Sequence, residues 1–160
     1  MRIRGAIATC LAAAALAWTA AAGTPSVEGS APEKAQLLDV PYLPQSGALC
    51  GGAALAMVLR YWGKPGVVAE DFTSLEEPGQ AGIRTGALVK AIEAFGWTAL
   101  PWTATPAEVE SHLAQGRPVI ALIRTGPDSF HYVVLVAWAN GWVVLHDPKL
   151  GPFRAVREGK

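Results

Sequence analysis

The sequence predicts an α+β domain in which helices come first and an antiparallel sheet follows. Three observations carry this prediction. Helical spacing of apolar residues is confined to about residues 50–115, and β-rich apolar runs fill the last third of the chain. The chain has 160 residues, of which 51% are hydrophobic and 16% charged, so it has the material for one buried core. A block of helices followed by a block of strands is typical of α+β folds rather than alternating α/β folds.

The N-terminal segment resembles a secretory signal peptide. Arg2 and Arg4 supply a positive start, residues 6–22 carry no charge, and the run ends in three alanines that suit a cleavage site. The alternative is an uncleaved membrane anchor, although the run is short and alanine-rich for a span. We therefore predict a signal peptide over residues 1–22.

A flexible linker and one domain account for the rest of the chain. Residues 23–36 are rich in small and polar residues and predict a tether, and the domain then occupies residues 37–160. Cleavage would remove Cys10 and leave Cys50 as the one thiol of the mature chain. A single cysteine cannot form an internal disulfide, which leaves a buried thiol, an intermolecular bridge or a reactive thiol.

The helical block contains four predicted helices. An apolar helix opens behind Cys50 and is expected to be buried, and a short helix is predicted over residues 67–75. Thr85 is predicted to cap a helix that ends near Gly96. Thr105, with Pro106 behind it and Glu108 at the third helical position, predicts a capping box.

The β block has three predicted strands, over residues 118–123, 131–138 and 142–146. Asn140-Gly141 between the last two marks a hairpin. A further short strand is predicted over residues 97–102, interrupted by Pro101.

Cys50 is the residue around which the candidate site is built. It ends a loop rich in Pro and Gly and stands at the predicted start of a helix, where unpaired N–H groups and the positive end of the helix dipole favour a thiolate. The N–H of Cys50 is one candidate donor to an oxyanion, and the amide of Gln45 across the loop is a second. In isolation, a loop Gln is usually only solvated.

A thiol nucleophile needs a base, and His suits that role. His112 lies within a helix and is predicted to be on the surface, and His146 is predicted to face outward from its strand. His131 opens the most apolar strand and is the candidate base. The alternative is that the backbone of the preceding turn forms the hydrogen bonds of the His131 ring.

Asp147 is the candidate group that orients His131, although an Asp before a Pro is more often a turn residue. A two-residue loop at Asn140-Gly141 would place His131 and Asp147 on opposite faces of the hairpin. A three-residue loop, or an equivalent bulge, would place them diagonally on one face. The catalytic hypothesis therefore predicts the loop or the bulge.

Composition and spacing argue against other functions. The formal net charge is zero, and no basic stripe indicates nucleic-acid binding. Cys50, His146 and Asp147 lack the ligand spacing of a zinc site. We predict no metal and no cofactor.

Five stretches resemble the papain-like peptidases that remove double-glycine leaders from bacteriocins, cysteine peptidase family thirty-nine, and their free-standing secreted relatives. They are Val40-Pro41-Tyr42-Leu43-Pro44-Gln45, Cys50-Gly51-Gly52-Ala53-Ala54-Leu55, Gly116-Arg117-Pro118-Val119, His131-Tyr132-Val133-Val134 and Asp147-Pro148. The family often has Asp where Leu49 stands and Pro where Gly52 stands. Its members usually continue beyond the Asp-Pro turn with more strand and a closing helix, so we expect a domain that is either shortened at its C-terminus or completed by a partner.

The resemblance implies a papain-like fold and a cysteine peptidase. Cys50 would be the nucleophile, His131 the general base, Asp147 the orienting residue and Gln45 the oxyanion donor. The substrate would be a peptide or protein, and we expect no fused transporter. We expect a secreted or periplasmic enzyme. A transpeptidase or deamidase using the same groups, and a peptide-binding module that does not cut, remain alternatives.

Overall fold

The computed structural model describes residues 36–77, 79 and 82–159. The predicted signal peptide, residues 1–22, and all of the predicted linker except Gln36 lie outside this part of the chain. Within it, no helix combines the length and the apolar character needed to cross a membrane.

The described chain forms four helical segments followed by four strands, which confirms the α+β prediction. They are α1 (Cys50–Tyr61), a 3₁₀ helix (Ala69–Leu75), α2 (Thr85–Ala94), α3 (Pro106–Ala114), β1 (Val119–Arg124), β2 (Phe130–Ala139), β3 (Trp142–Asp147) and β4 (Gly151–Arg157). The strands form one antiparallel sheet in the order β1-β2-β3-β4. β4 was not predicted from sequence, because its glycine, proline and two arginines leave no clear alternation of apolar and polar residues.

The helix α1 lies at the centre of the core, as its apolar sequence predicts. It packs on β2 and on the 3₁₀ helix. Leu55, Met57 and Leu59 are fully buried there, as are Val133 and Val134 of β2. The burial of these side chains fixes the helix against β2.

The packing around Gly52 explains why this chain has glycine where the family often has proline. A Cβ atom at this position would lie 2.8 Å from the carbonyl oxygen of Ala69 and 3.2 Å from the Cβ of Phe72. The first distance is shorter than any ordinary contact, and the neighbour is backbone. The 3₁₀ helix therefore approaches α1 so closely that glycine is the residue that fits.

The predicted cap of α3 is confirmed, whereas the predicted cap of α2 is wrong. Thr105 Oγ1 accepts from the N–H of Glu108, whose carboxylate accepts from the N–H of Thr105 at 2.8 Å. The N-cap of α2 is Arg84, and Thr85 is the first helical residue. The Thr85 hydroxyl instead lies 2.7 Å from the hydroxyl of Tyr132, a partner on the sheet that local sequence does not reveal.

The strand predicted over residues 97–102 is also wrong, because these residues are irregular. Pro101 offers no N–H for a strand ladder. The segment lies over the helices and β1 instead and contributes Trp97 and Trp102 to a surface groove.

The β2–β3 hairpin combines a tight turn with a bulge. Ala139 pairs with Trp142 around Asn140 and Gly141, whose φ angles of 54° and 73° match a type I′ turn, so the three-residue loop is wrong. Farther along, Leu135 pairs with Leu145 while Ala137 pairs with Val144. The extra residue, Val136, is a bulge that changes the pairing by one residue.

This bulge restores the arrangement that the catalytic hypothesis requires. Beyond it the register is that of the three-residue loop, so His131 and Asp147 lie diagonally on the same face. The carbonyl oxygen of Val136 accepts a 2.9 Å hydrogen bond from the N–H of Leu38. The N-terminal extended segment therefore pairs with the backbone of the bulge.

Candidate active site

Cys50 is the first residue of α1 and is a free, partly exposed thiol. Its N-cap, Leu49, has no side chain that can bond to the first turn, so no side-chain cap occupies the N–H groups there. Unpaired N–H groups at a helix start attract negative charge. This end of α1 can therefore stabilise a thiolate or an oxyanion.

His131 and Asp147 form a direct hydrogen bond. The distance from His131 Nε2 to Asp147 Oδ1 is 2.7 Å, and the two side chains are 13% and 8% exposed. A carboxylate only accepts, so the proton of the neutral ring is on Nε2. His131 Nδ1 is then left with a lone pair, the form that a general base requires.

Asp147 Oδ1 is held by the turn as well as by His131. It accepts from the backbone N–H of Lys149 at 2.8 Å and of Leu150 at 3.1 Å. Burial raises the pKa of Asp147, but the hydrogen bonds from His131, Lys149 and Leu150, and the charge of His131 when its ring is protonated, outweigh it and leave the pKa below its ordinary value. Asp147 is thus both the turn residue and the partner of the histidine, which the sequence analysis treated as alternatives.

The loop that carries Gln45 is attached to the same turn. The N–H of Gln45 donates to the carbonyl oxygen of Pro148 at 2.9 Å. The Tyr42 hydroxyl donates at 3.3 Å to the carbonyl oxygens of Asp147 and Pro148. Burial, and secondarily the charge of Asp147, raises the pKa of Tyr42, so this hydroxyl keeps its proton.

The side chain of Gln45 is partly engaged. Its Nε2 donates to the carbonyl oxygen of Gly47 at 2.6 Å, and its Oε1 is buried with no hydrogen-bond partner among the residues that the structure describes. An amide nitrogen carries two hydrogens, so one donor remains beyond the bond to Gly47.

Tyr132 connects the cysteine helix to the histidine strand. A Cβ atom on Gly51, next to Cys50, would lie 3.1 Å from the ring of Tyr132, which follows His131. Burial raises the pKa of Tyr132, the bond from Thr85 opposes this, and a negative charge on Cys50 raises it further. Neither Tyr132 nor Thr85 was predicted for the site from sequence, since Thr85 was predicted only as a helix cap, although the position of Tyr132 beside His131 was a usable signal.

Tyr132 also lines a broad apolar groove of about 1100 Å³, whose lining does not include Cys50, His131, Asp147 or Gln45. Tyr132 and Thr85 line it together with residues of α1, α2, the 97–104 segment and β1. We call it the tryptophan groove, because its aromatic and aliphatic lining includes Trp62, Trp97, Leu100, Trp102 and Leu122. Such a lining suits apolar side chains of a ligand.

The other two histidines do not join the site. His146 is fully buried, so the prediction that it faces outward is wrong. The reason is that the extended N-terminal segment covers this face of β3. His112 is partly buried, and its ring centroid lies 5.0 Å from that of Trp102, with the two rings tilted by 46°. In the part of the chain that the structure describes, no three His, Cys, Asp or Glu residues are grouped as metal ligands.

Two solved structures share this fold. One is a double-glycine motif protease from an AMS/PCAT transporter in complex with the leader peptide, with a TM-score of 0.60 and 24% identity over 76% of this chain and 82% of that chain. The other is described as a C39-like peptidase from Bacillus anthracis, with a TM-score of 0.65 and 19% identity over 80% of this chain and 90% of that chain. At these identities the likeness establishes the papain-like fold.

No curated protein matches the sequence of this chain. The model of the Peptidase_C39-like family matches residues 37–151, which include the cysteine helix, the histidine strand and the Asp147 turn. The chain therefore belongs to the Peptidase_C39-like family.

Proposed function

We propose that the protein hydrolyses peptides through an acyl-enzyme on Cys50. His131 acts as the base, Asp147 orients it, and the N–H of Cys50 and the amide of Gln45 stabilise the oxyanion. The hydrogen bond of 2.7 Å between His131 and Asp147 carries this proposal, because it leaves Nδ1 as the free basic nitrogen of the ring.

In the first half of the reaction, His131 Nδ1 takes the thiol proton and the Cys50 sulfur attacks the peptide carbonyl carbon. The π electron pair moves to the oxygen, where the two N–H donors face the negative charge. Collapse of this intermediate breaks the C–N bond. The departing nitrogen takes the proton from His131, and a thioester remains on Cys50.

In the second half, His131 removes a proton from water and the hydroxide oxygen attacks the thioester. The C–S bond breaks, the carboxylic acid product leaves, and the sulfur recovers its proton from His131. The carboxylate of Asp147 stabilises the imidazolium in both halves. No metal or further co-reactant is needed for the atoms and charges to balance.

A peptide substrate is supported by two observations. The tryptophan groove is lined in part by Tyr132 and by the cysteine helix, and it has the size and apolar lining for several side chains. The transporter protease of the same fold was solved with a leader peptide. We infer that a peptide lies along the groove with its scissile bond near Cys50.

The test is turnover of a peptide panel that includes Gly-Gly cleavage sites, by wild-type protein and by Cys50→Ala. We expect cleavage by the wild type, loss of turnover in the variant, and covalent labelling of Cys50 by a thiol-directed peptide inhibitor. Asp39→Asn is a matched control, because Asp39 is exposed. Cleavage by Cys50→Ala at the wild-type rate refutes the mechanism. Peptide binding without cleavage or labelling identifies a binding module instead.

We also propose that the mature protein acts outside the cytoplasm. The support is the charge and alanine pattern of residues 1–22. Mass spectrometry of the exported protein is expected to give an N-terminus just after residue 22. Recovery of the intact chain from the membrane fraction contradicts cleavage and indicates an anchor.

A further inference from the structure

His146 is a fully buried polar residue beside the proposed site, and both of its ring nitrogens are bonded. Its Nε2 lies 2.9 Å from the carbonyl oxygen of Val40, and its Nδ1 lies 3.1 Å from the backbone nitrogen of Phe153. The residue therefore connects β3 to the segment that leads to Gln45 and to β4.

These two partners determine the form of the ring. The carbonyl oxygen of Val40 can only accept, and the N–H of Phe153 can only donate. The proton therefore lies on Nε2 and the lone pair on Nδ1, so His146 is neutral. Burial lowers the pKa of His146, and the bond to Val40 opposes this only in part, which agrees with a neutral ring.

A bulge in β4 supplies the donor. Leu145 pairs with Arg154 and Asp147 with Gly151, so Pro152 and Phe153 both lie opposite His146. Pro152 has no N–H, and Phe153 has a φ angle of 49°, which is rare for a residue with a side chain. The N–H of Phe153 leaves the strand ladder at this point and bonds to the histidine ring instead.

The bond from His146 to Val40 is the first of three contacts along one path. The next is the Tyr42 hydroxyl on the carbonyl oxygens of Asp147 and Pro148, and the last is the N–H of Gln45 on Pro148. The ring of Tyr42 also meets the ring of His146 edge to face at 5.7 Å. Residues 40–45 thus run beside residues 146–148, attached at the beginning, middle and end.

We propose that His146 is a positioning residue that sets Gln45 relative to His131 and Asp147 through its hydrogen bond to Val40. The effect of this positioning on catalysis rests on the proposed function. Asp147 and His146 are adjacent and point to opposite faces of β3. One strand end therefore orients the base on one face and positions the oxyanion loop on the other.

Two variants separate the two bonds of His146. In His146→Gln the amide nitrogen can occupy the place of Nε2 and keep the donor to Val40. In His146→Asn the shorter side chain can keep an acceptor for Phe153 but cannot reach Val40. Both remove the imidazole, so they are matched for the loss of the ring itself.

The first measurement is hydrogen exchange of backbone amides, which does not depend on activity. We expect protection of the Gln45 amide to fall about 5- to 10-fold in His146→Asn, the worth of about one hydrogen bond, and to recover in His146→Gln. The amides of β2 should be unchanged in both variants. Equal losses in both variants, no loss in either, or a parallel loss across β2 would overturn the positioning role.

The second measurement is kinetic. In His146→Asn we expect kcat to fall about 10-fold or more, since small displacements of a catalytic donor are costly, while KM stays within about twofold because the tryptophan groove is untouched. His146→Gln should recover most of kcat. A wild-type protein that cleaves nothing refutes the proposed function, and the exchange data then still decide whether His146 holds the loop.

Wild-type protein provides a test that survives misfolding of the variants. Nitrogen-15 spectra of the histidine rings should show His146 as the Nε2–H tautomer at neutral pH, with a ring proton that exchanges in step with the Gln45 amide. An Nδ1–H tautomer, or a ring proton that exchanges freely while Gln45 stays protected, contradicts the inference.

Discussion

Asp147 has two tasks, and replacing it with Asn or Ala separates them. Its Oδ1 atom accepts from His131 Nε2 and from the backbone N–H groups of Lys149 and Leu150. The Asn oxygen can accept the same three bonds without the negative charge. Ala removes all three.

The structure gives different magnitudes for the two variants. A hydrogen bond to a charged group contributes about 1.5–3 kcal/mol and a neutral one about 0.5–1.5 kcal/mol. Lys149 and Leu150 are exposed, so water can replace part of what Ala removes. We expect Asp147→Ala to lower the free energy of unfolding by about 2–4 kcal/mol and Asp147→Asn by about 1–2 kcal/mol.

The kinetic expectation follows from the tautomer of His131. If the turn N–H groups hold the Asn oxygen toward His131, the ring keeps its proton on Nε2 and loses only the stabilising charge. A loss of about 1.4–2.7 kcal/mol in the transition state corresponds to about 10- to 100-fold in kcat/KM. In Asp147→Ala nothing selects the tautomer, and a loss of about 10³- to 10⁴-fold is expected.

Urea unfolding and peptide turnover of both variants provide the assay, with Asp39→Asn as the control for a removed surface charge. Comparable losses of kcat/KM in the two variants, both still folded, would show that the Asn oxygen does not preserve the tautomer. If Asp147→Ala is as stable as the control, the bonds to the turn contribute nothing.

Two further predictions concern stability. Gly52→Ala should lower the free energy of unfolding by about 1–3 kcal/mol because its Cβ would meet the Ala69 carbonyl at 2.8 Å, whereas Gly86→Ala, in an open and exposed part of α2, should raise it by about 0.5–1 kcal/mol; equal effects in urea unfolding would exclude the close approach. His146 has a folded-state pKa below its ordinary value of 6.5, so its contribution is complete above about pH 6.5 and is lost as the pH falls below that value. Urea unfolding at pH 7.5 and pH 5.5 should show this loss, and a dependence just as steep in His146→Gln would assign it to other groups.

Local sequence predicted the elements whose signals are local. The capping box at Thr105 and Glu108 was correct because its partners are three residues apart. Thr85 was assigned to a cap by the same logic, but its hydroxyl bonds to Tyr132, 47 residues away. The 97–102 strand failed for a related reason, since a strand needs a partner that composition does not supply.

The register of the β2–β3 hairpin could be predicted from sequence only in part. Asn140-Gly141 correctly predicted a tight turn, and a tight turn alone would have separated His131 from Asp147. The bulge at Val136 allows both the tight turn and the 2.7 Å hydrogen bond between His131 and Asp147. No residue type in the sequence predicts this bulge. Its carbonyl is satisfied by Leu38, from a segment that lies almost a hundred residues earlier in the chain.

The sequence by itself determined that helices precede an antiparallel sheet, that a thiol stands at the start of a buried helix, and to which family the chain belongs. These follow from periodicity, capping and short motifs, which act over a few residues. Only the tertiary structure decided the register of His131 and Asp147, the burial of His146 and the attachment of the Gln45 loop to the Asp147 turn. Each of these depends on a hydrogen bond between a backbone group and a group that is distant in the sequence, and without this bond a buried polar group would have no partner.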